Sequence, residues 1–151
     1  MPTTENATVL RLERRFAAPP ERVFDAWTDP ELLRRWFHVG PDWDTPSAEV
    51  DLREGGRYRI SMREPKSGDV HTVHGSYSEI ERPRRLVYTW AWEAEEGSPM
   101  GAESHVTVEF VADGDGTQVV LTHTGFPSEE NRDQHAHGWA GCLASLEQLL
   151  G

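Results

Sequence analysis

The C-terminal stretch of the chain, from Pro127 to Leu150, is the feature that most constrains the fold. Its apolar residues recur at the spacing of one helix face and not at the alternation of a strand: Ala136, Trp139, Ala140, Leu143, Leu146 and Leu150. Ser128 can cap the start of this helix, and acidic residues follow at the positive end of the helix dipole. The pattern predicts a helix over Glu129 to Leu150, about 33 Å long at about 1.5 Å per residue. Its apolar stripe must pack against another layer.

Most of the preceding chain has the alternating pattern of half-buried strands. The predicted strands are Thr8–Phe16, Ala48–Leu52, Arg57–Met62, Val70–Ile80, Arg85–Trp92, Glu103–Ala112 and Thr117–Thr124. The strongest hairpin signal is the turn sequence DGDG at 113–116. The segment His38–Ser47 is rich in Pro, Gly and Asp and predicts an irregular loop, in which Trp43 plugs an edge of the core. Glu93–Gly101 predicts an acidic, flexible connection.

Two short helices are predicted directly after the first strand. Pro20 suits the first turn of a helix that carries Trp27 on its apolar side. Asp29 then caps a second helix, with Pro30 in its first position and Trp36 near its end. The resulting order, β-α-α-β-β-β-β-β-β-α, predicts an α+β fold in which a curved antiparallel sheet carries its helices on one face.

The length and the net charge of the chain limit the classes of protein to which it can belong. A chain of 151 residues has the length of one ordinary domain, so we expect a single domain over residues 1–151. The sequence MPTTENATVL has neither the basic segment nor the apolar run of a signal peptide, and no stretch has the length of a membrane span. We therefore expect a cytoplasmic protein. The formal net charge of −11 disfavours nucleic acids and anionic membranes as partners.

The sequence offers few groups for catalysis or metal binding. Cys142 is the single cysteine, which makes an internal disulfide impossible, and its position within a helix favours a packing role over a nucleophile. His71 and His74 are three residues apart on a predicted strand and face opposite sides. His135 and His137 are separated by about 200° around the predicted helix. We expect no metal ion, no cofactor and no catalytic residue among these groups.

A set of large side chains is predicted to line a cavity between the sheet and the C-terminal helix. By strand parity and helix phase, the set consists of Trp27, Trp36, Tyr58, Tyr77, Tyr88, Trp90, His123, Trp139, Leu143 and Leu146. Rings of this size either interlock fully or leave one pocket on the order of a few hundred Å³, and we expect the pocket. His123 is the polar member. It either orients a ligand or serves as acid or base, or it is a satisfied histidine bonded to backbone at the rim.

Several groups of residues occur together and in order: Phe16–Pro30, Leu52–Tyr58, Gly75–Tyr77 with Glu79–Ile80, Thr117 with Leu121–Phe126, and Gly138-Trp139 with Leu143 and Leu146. In this combination they resemble the SRPBCC superfamily, in the branch named after the activator of heat-shock chaperone ATPase. The resemblance implies a START-like helix-grip fold, in which the sheet grips the C-terminal helix over a cavity that often takes an apolar ligand. It implies no particular reaction, because members differ in ligand, in partner and in whether they catalyse anything.

Three functions remain open at this point. The favoured one is a small-molecule binding protein, monomer or homodimer, that holds an apolar or aromatic ligand in the predicted cavity. The second is an interaction protein that acts on a chaperone, as the name of the branch implies. The third is an enzyme in which His123 works with a neighbouring carboxylate or tyrosine as an acid/base pair.

Overall fold

The computed structural model describes residues 9–40, 42–93, 101 and 103–150. Within them are seven strands and three helices: β1 (Leu10–Phe16), α1 (Pro20–Thr28), α2 (Pro30–Trp36), β2 (Asp44–Val50), β3 (Arg57–Arg63), β4 (Val70–Glu81), β5 (Arg85–Trp92), β6 (Ser104–Asp113), β7 (Gly116–Thr124) and α3 (Glu129–Leu150). This order confirms the predicted α+β layout. Most of the predicted acidic connection, residues 94–100, lies outside the described residues, as does Thr8 of the predicted first strand.

The strands form one antiparallel sheet in the order β1-β7-β6-β5-β4-β3-β2. Each neighbouring pair except β1 with β7 is consecutive along the chain. The two short helices connect β1 to β2, which lies at the opposite edge of the sheet. The sheet curls into a half-barrel around α3, which confirms the predicted helix-grip fold. No helix in the described part of the chain is long and apolar enough to cross a membrane.

Helix α3 has the predicted length, but the face that it buries is rotated slightly from the predicted one. Its buried residues are Asn131, Trp139, Cys142, Leu143, Leu146 and Leu150. Ala140, which was predicted in the apolar stripe, is exposed, because it lies about 100° around the helix from Trp139. Cys142, about 60° to the other side of Trp139, is buried instead.

Strand β2 begins earlier than the sequence predicts. A loop was predicted up to Ser47 and a strand over Ala48–Leu52, whereas β2 runs over Asp44–Val50 and includes Pro46. Proline is compatible with this strand because β2 lies at the edge of the sheet, where a missing N–H breaks no ladder. The pairing of β2 with β3 also shifts register between Asp44 and Ser47.

Candidate ligand-binding site

A cavity of about 210 Å³ lies where the first half of α3 faces strands β3 to β5 and the loop between α2 and β2. The lining residues are Val39 and Trp43 from the loop, Met62, His71, Trp90 and Trp92 from the strands, and Gln134, His135, His137, Gly138, Trp139 and Cys142 from α3. An engineered apolar cavity of about 150 Å³ is large enough to bind benzene. The cavity therefore has room for one substituted aromatic ring.

Four of the six tryptophans in the chain line this cavity: Trp43, Trp90, Trp92 and Trp139, here termed the cavity tryptophans. The rings of Trp90 and Trp139 have centroids 5.0 Å apart and planes inclined by 41°. Those of Trp90 and Trp92 are 5.5 Å apart and perpendicular. Because the rings lie in different planes, they surround the space instead of stacking into a single slab.

Two glycines set the distance between α3 and the α2–β2 loop. A Cβ atom on Gly141 would lie 1.8 Å from the carbonyl oxygen of Val39, so only glycine permits this close approach. A Cβ atom on Gly138 would meet nothing nearer than Cγ2 of Val39 at 3.9 Å. Gly141 therefore fixes the loop against the helix, and Gly138 leaves space open to the cavity.

His135 is held in the cavity wall as a neutral imidazole. Its Nδ1–H donates to the carbonyl of Asn131 over 2.8 Å, and its Nε2 accepts from the indole N–H of Trp92 over 3.0 Å. Burial lowers the pKa of His135, although the hydrogen bond to the Asn131 carbonyl opposes that change. An imidazole with one nitrogen accepting carries no charge, so His135 adds an aromatic surface and no cation to the wall.

His123 lies behind the wall and is completely buried. Its Nδ1 accepts from the indole N–H of Trp139 over 3.1 Å, so its proton is on Nε2 and is donated to Ser104 Oγ over 2.7 Å. The Ser104 hydroxyl donates in turn to the carbonyl of Trp90 over 3.2 Å. Burial, together with the nearby His135 and His105, lowers the pKa of His123 to about 2. His123 is thus a satisfied, neutral histidine, with side chains instead of the expected backbone group as partners.

Of the residues predicted to line a pocket, Trp90 and Trp139 line the cavity. The others are buried elsewhere in the core: Trp27, Trp36, Tyr58, Tyr77, Tyr88, His123, Leu143 and Leu146. A gap of about 10 Å³ remains among the tyrosines, Trp27 and their neighbours, which is roughly the space of one water molecule. A role of those eight residues in ligand binding stays a prediction.

The three buried tyrosines interlock and have no room for a guest between them. The ring centroid of Tyr58 is 5.6 Å from that of Tyr77 and 5.2 Å from that of Tyr88. Tyr88 accepts a hydrogen bond from the indole N–H of Trp27 over 3.2 Å, and the Tyr58 hydroxyl donates to the Thr89 carbonyl over 2.6 Å. Burial raises the pKa of all three tyrosines. These rings form a packed core next to the cavity.

Sequence reasoning missed most of the actual lining, above all His135 and Trp92. His135 was considered only as a metal ligand paired with His137. The informative signal is that His135 and Trp139 are four residues apart and therefore share a face of α3. Within the described residues, no group of three or more His, Cys, Asp or Glu side chains is placed to hold a metal ion.

Residues 17–151 match the family model described as Activator of Hsp90 ATPase homolog 1-like protein. Among solved structures, a protein from Chromobacterium violaceum is 28% identical, with a TM-score of 0.85 over 95% of this chain and 96% of that one. The AHSA1 protein from Silicibacter pomeroyi is also 28% identical, with a TM-score of 0.82 over 94% and 96% of the two chains. An HSP90 activator from Plasmodium falciparum is 27% identical, with a TM-score of 0.71 over 95% and 96%. A comparison with curated proteins gives no match.

Proposed function

The chain belongs to the family of Activator of Hsp90 ATPase homolog 1-like proteins, and we propose that it is a small-molecule binding protein. Its ligand is apolar or aromatic and occupies the cavity beside the first half of α3. The observation that carries the proposal is the cavity itself, about 210 Å³ in volume and surrounded by the four cavity tryptophans. Concave sites lined by aromatic side chains with few polar groups are the usual form of small-molecule sites.

The expected affinity follows from the area that such a ligand removes from water. A single substituted ring buries on the order of 150–250 Å², which corresponds to about 4–6 kcal/mol at about 25 cal/mol per Å². Lost translational and rotational freedom offsets a large part of this gain. A fragment-sized probe should therefore bind with a dissociation constant roughly between millimolar and micromolar. A larger natural ligand that also contacts the rim would bind more tightly.

The chemistry of the lining supports an apolar ligand over an anionic one. No Lys or Arg is among the described residues that line the cavity, and His135 is neutral. A buried carboxylate or phosphate would therefore find no guanidinium or ammonium group to pair with. An acid–base reaction at His123 has no support either, because Trp139 and Ser104 occupy both of its ring nitrogens.

The proposal is tested by calorimetric titration with a neutral probe, para-tert-butylbenzyl alcohol. Wild type should bind it, and Gly138→Leu should not, because the new side chain extends from α3 into the cavity. Ala140→Leu is the matched control, since it adds the same side chain to an exposed position of the same helix outside the cavity lining. Cooperative thermal unfolding of both variants would show that each is folded.

The outcome decides the proposal in either direction. Binding by wild type and by Ala140→Leu, with at least a tenfold loss in Gly138→Leu, would support the cavity as the binding site. Absence of binding to wild type, or equal binding to a folded Gly138→Leu variant, would refute it.

A second candidate is the activation of a chaperone of the Hsp90 class. Its support is the description of the matching family and the similarity to the HSP90 activator from Plasmodium falciparum. The test is the steady-state ATPase rate of such a chaperone with increasing amounts of this protein. Stimulation that persists in Gly138→Leu would identify an interaction independent of the cavity, and an unchanged rate would exclude this activity for the chaperone tested.

A further inference from the structure

We propose that the cavity prefers an organic cation, such as a quaternary or protonated amine carried on an apolar body, over a neutral molecule of the same shape. This inference rests on the proposed function, because it names the ligand class of the same cavity. It follows from three properties of the wall: its indole rings, the absence of Lys and Arg among its described residues, and a carboxylate bonded to one of its histidines.

The indole rings are the first argument. Among aromatic side chains, the face of tryptophan attracts a cation most strongly, because its ring quadrupole places negative charge above and below the plane. The cavity tryptophans make up four of the twelve lining residues. The planes of Trp90 and Trp92 are perpendicular and those of Trp90 and Trp139 are inclined by 41°, so the rings that line the cavity differ in orientation. A compact cationic head group is the shape that such a set of rings can surround.

The charge of the wall is the second argument. His135 is neutral, since its Nε2 accepts from Trp92 and its Nδ1–H donates to a backbone carbonyl. His71, which lines the cavity from β4, donates from Nε2 to the carboxylate of Glu64 over 2.6 Å. The ring of Trp43 is 6.0 Å from that of His71. Glu64, whose side chain is 35% exposed, therefore places a carboxylate next to one residue of the wall.

The charge of the whole chain acts in the same direction. With a formal net charge of −11, the protein repels anions and attracts cations over long range. A cation that enters the cavity loses part of its hydration, and contacts with the indole rings compensate for part of that loss. Contacts of this kind correspond to a preference of roughly 3- to 30-fold for a cation over its neutral analogue.

The experiment compares two probes of the same shape and different charge. Para-tert-butylbenzyl alcohol is neutral, and para-trimethylammonio-benzyl alcohol replaces its quaternary carbon by nitrogen. Titration of wild type should give a dissociation constant for the cation that is roughly 3- to 30-fold lower than that for the alcohol. Added salt should weaken the binding of the cation and leave that of the alcohol unchanged.

Trp43→Leu separates the role of the rings from that of the apolar volume. Trp43 is half-buried in a loop, so its replacement by another apolar side chain should leave the fold intact. The variant should lose most of the preference for the cation, measured as the ratio of the two dissociation constants. The loss of ring area should weaken the binding of both probes to a similar extent. If this variant does not fold, Trp43→Phe serves in its place. The loss of the preference should then be smaller, because phenylalanine keeps an aromatic face, although one that attracts a cation less strongly than tryptophan does.

The results distinguish this inference from the proposed function. Equal affinity of wild type for the two probes, or a preference that Trp43→Leu leaves intact, would overturn the inference while the binding function stands. Binding of neither probe would overturn both. A preference for the cation that depends on Trp43 and on salt concentration would establish the inference.

Discussion

The indole nitrogen of Trp139 donates a hydrogen bond to Nδ1 of His123 over 3.1 Å and so joins α3 to β7 inside the core. His123 donates a hydrogen bond to Ser104 of β6, and Ser104 donates to the carbonyl of Trp90 on β5. Two of the residues that these hydrogen bonds connect, Trp139 and Trp90, also line the cavity. The hydrogen bonds therefore fix the positions of two residues of the cavity wall.

Replacement of His123 by alanine should destabilise the protein without directly altering the cavity lining. The variant leaves the buried indole N–H of Trp139 without its acceptor, removes the hydrogen bond that Ser104 Oγ accepts from His123, and also leaves a void. We expect a loss of about 2–4 kcal/mol in the free energy of unfolding, measured by urea titration. His105→Ala, on the exposed side of β6, is the control and should change stability by less than about 0.5 kcal/mol. A loss below about 1 kcal/mol in His123→Ala would show that the connection contributes little.

Stability should fall in mild acid because of the same residue. The pKa of His123 is lowered to about 2 in the folded protein, whereas a histidine in the unfolded chain titrates near about 6.5. Between these values the unfolded chain binds a proton that the folded protein does not, so stability is full above about pH 6.5 and decreases as the pH falls. One such group accounts for about 2 kcal/mol between about pH 7.5 and about pH 5.

Urea unfolding of wild type and His123→Gln at these two pH values checks this expectation. Wild type should lose about 2 kcal/mol more than the variant on acidification. The pKa of His135 is also lowered by burial, and His135 is present in both proteins, so its contribution cancels in the comparison. Equal acid sensitivity of the two proteins would mean that His123 titrates normally in the folded state.

Replacement by alanine should have different effects on stability at two glycines of α3 that lie three residues apart. Gly141→Ala places a Cβ atom against the carbonyl of Val39 and should cost about 1–3 kcal/mol as the loop is displaced. Gly138→Ala meets open space and should leave stability unchanged or raise it by up to about 1 kcal/mol, since alanine favours the helix. Thermal unfolding of the pair measures the difference. Similar melting temperatures for the two variants would contradict the close approach of loop and helix.

Cys142 should behave as a packed and unreactive thiol. It is 4% exposed, and burial raises its pKa to about 12. At neutral pH its thiolate fraction is then roughly a thousandfold below that of an exposed cysteine, and labelling by Ellman's reagent should be correspondingly slow. Labelling should become fast in urea. Cys142→Ala should change stability by no more than about 1–2 kcal/mol. Rapid labelling of the folded protein would instead identify an accessible, activated thiol.

The architecture could be predicted from the sequence because its signals are periodic and local. The helical spacing from Trp139 to Leu150 and the strand alternation each fix a face, and together they define a sheet that grips a helix. The start of β2 was missed because Pro46 reads as a loop residue, and only its place at the sheet edge makes it compatible with a strand.

The site was harder to predict than the fold, for a physical reason. Parity and phase indicate that Tyr58, Tyr77 and Tyr88 point into the same space, but they do not indicate whether those rings fill it. The structure shows that they do, and it places the cavity one to two turns closer to the start of α3. There the loop containing Trp43 contributes to the wall, and no periodic pattern predicts the path of a loop.

Binding of a ligand in the cavity beside α3 can be observed at the indole N–H signals of the six tryptophans. A proton–nitrogen correlation spectrum, recorded during titration with para-tert-butylbenzyl alcohol, should show saturable shifts for the cavity tryptophans. The signals of Trp27 and Trp36 should move little, because their N–H groups are bonded in the core to Tyr88 and to the Ala26 carbonyl. Unchanged signals for all six, or shifts confined to Trp27 and Trp36, would show that the cavity does not bind this probe.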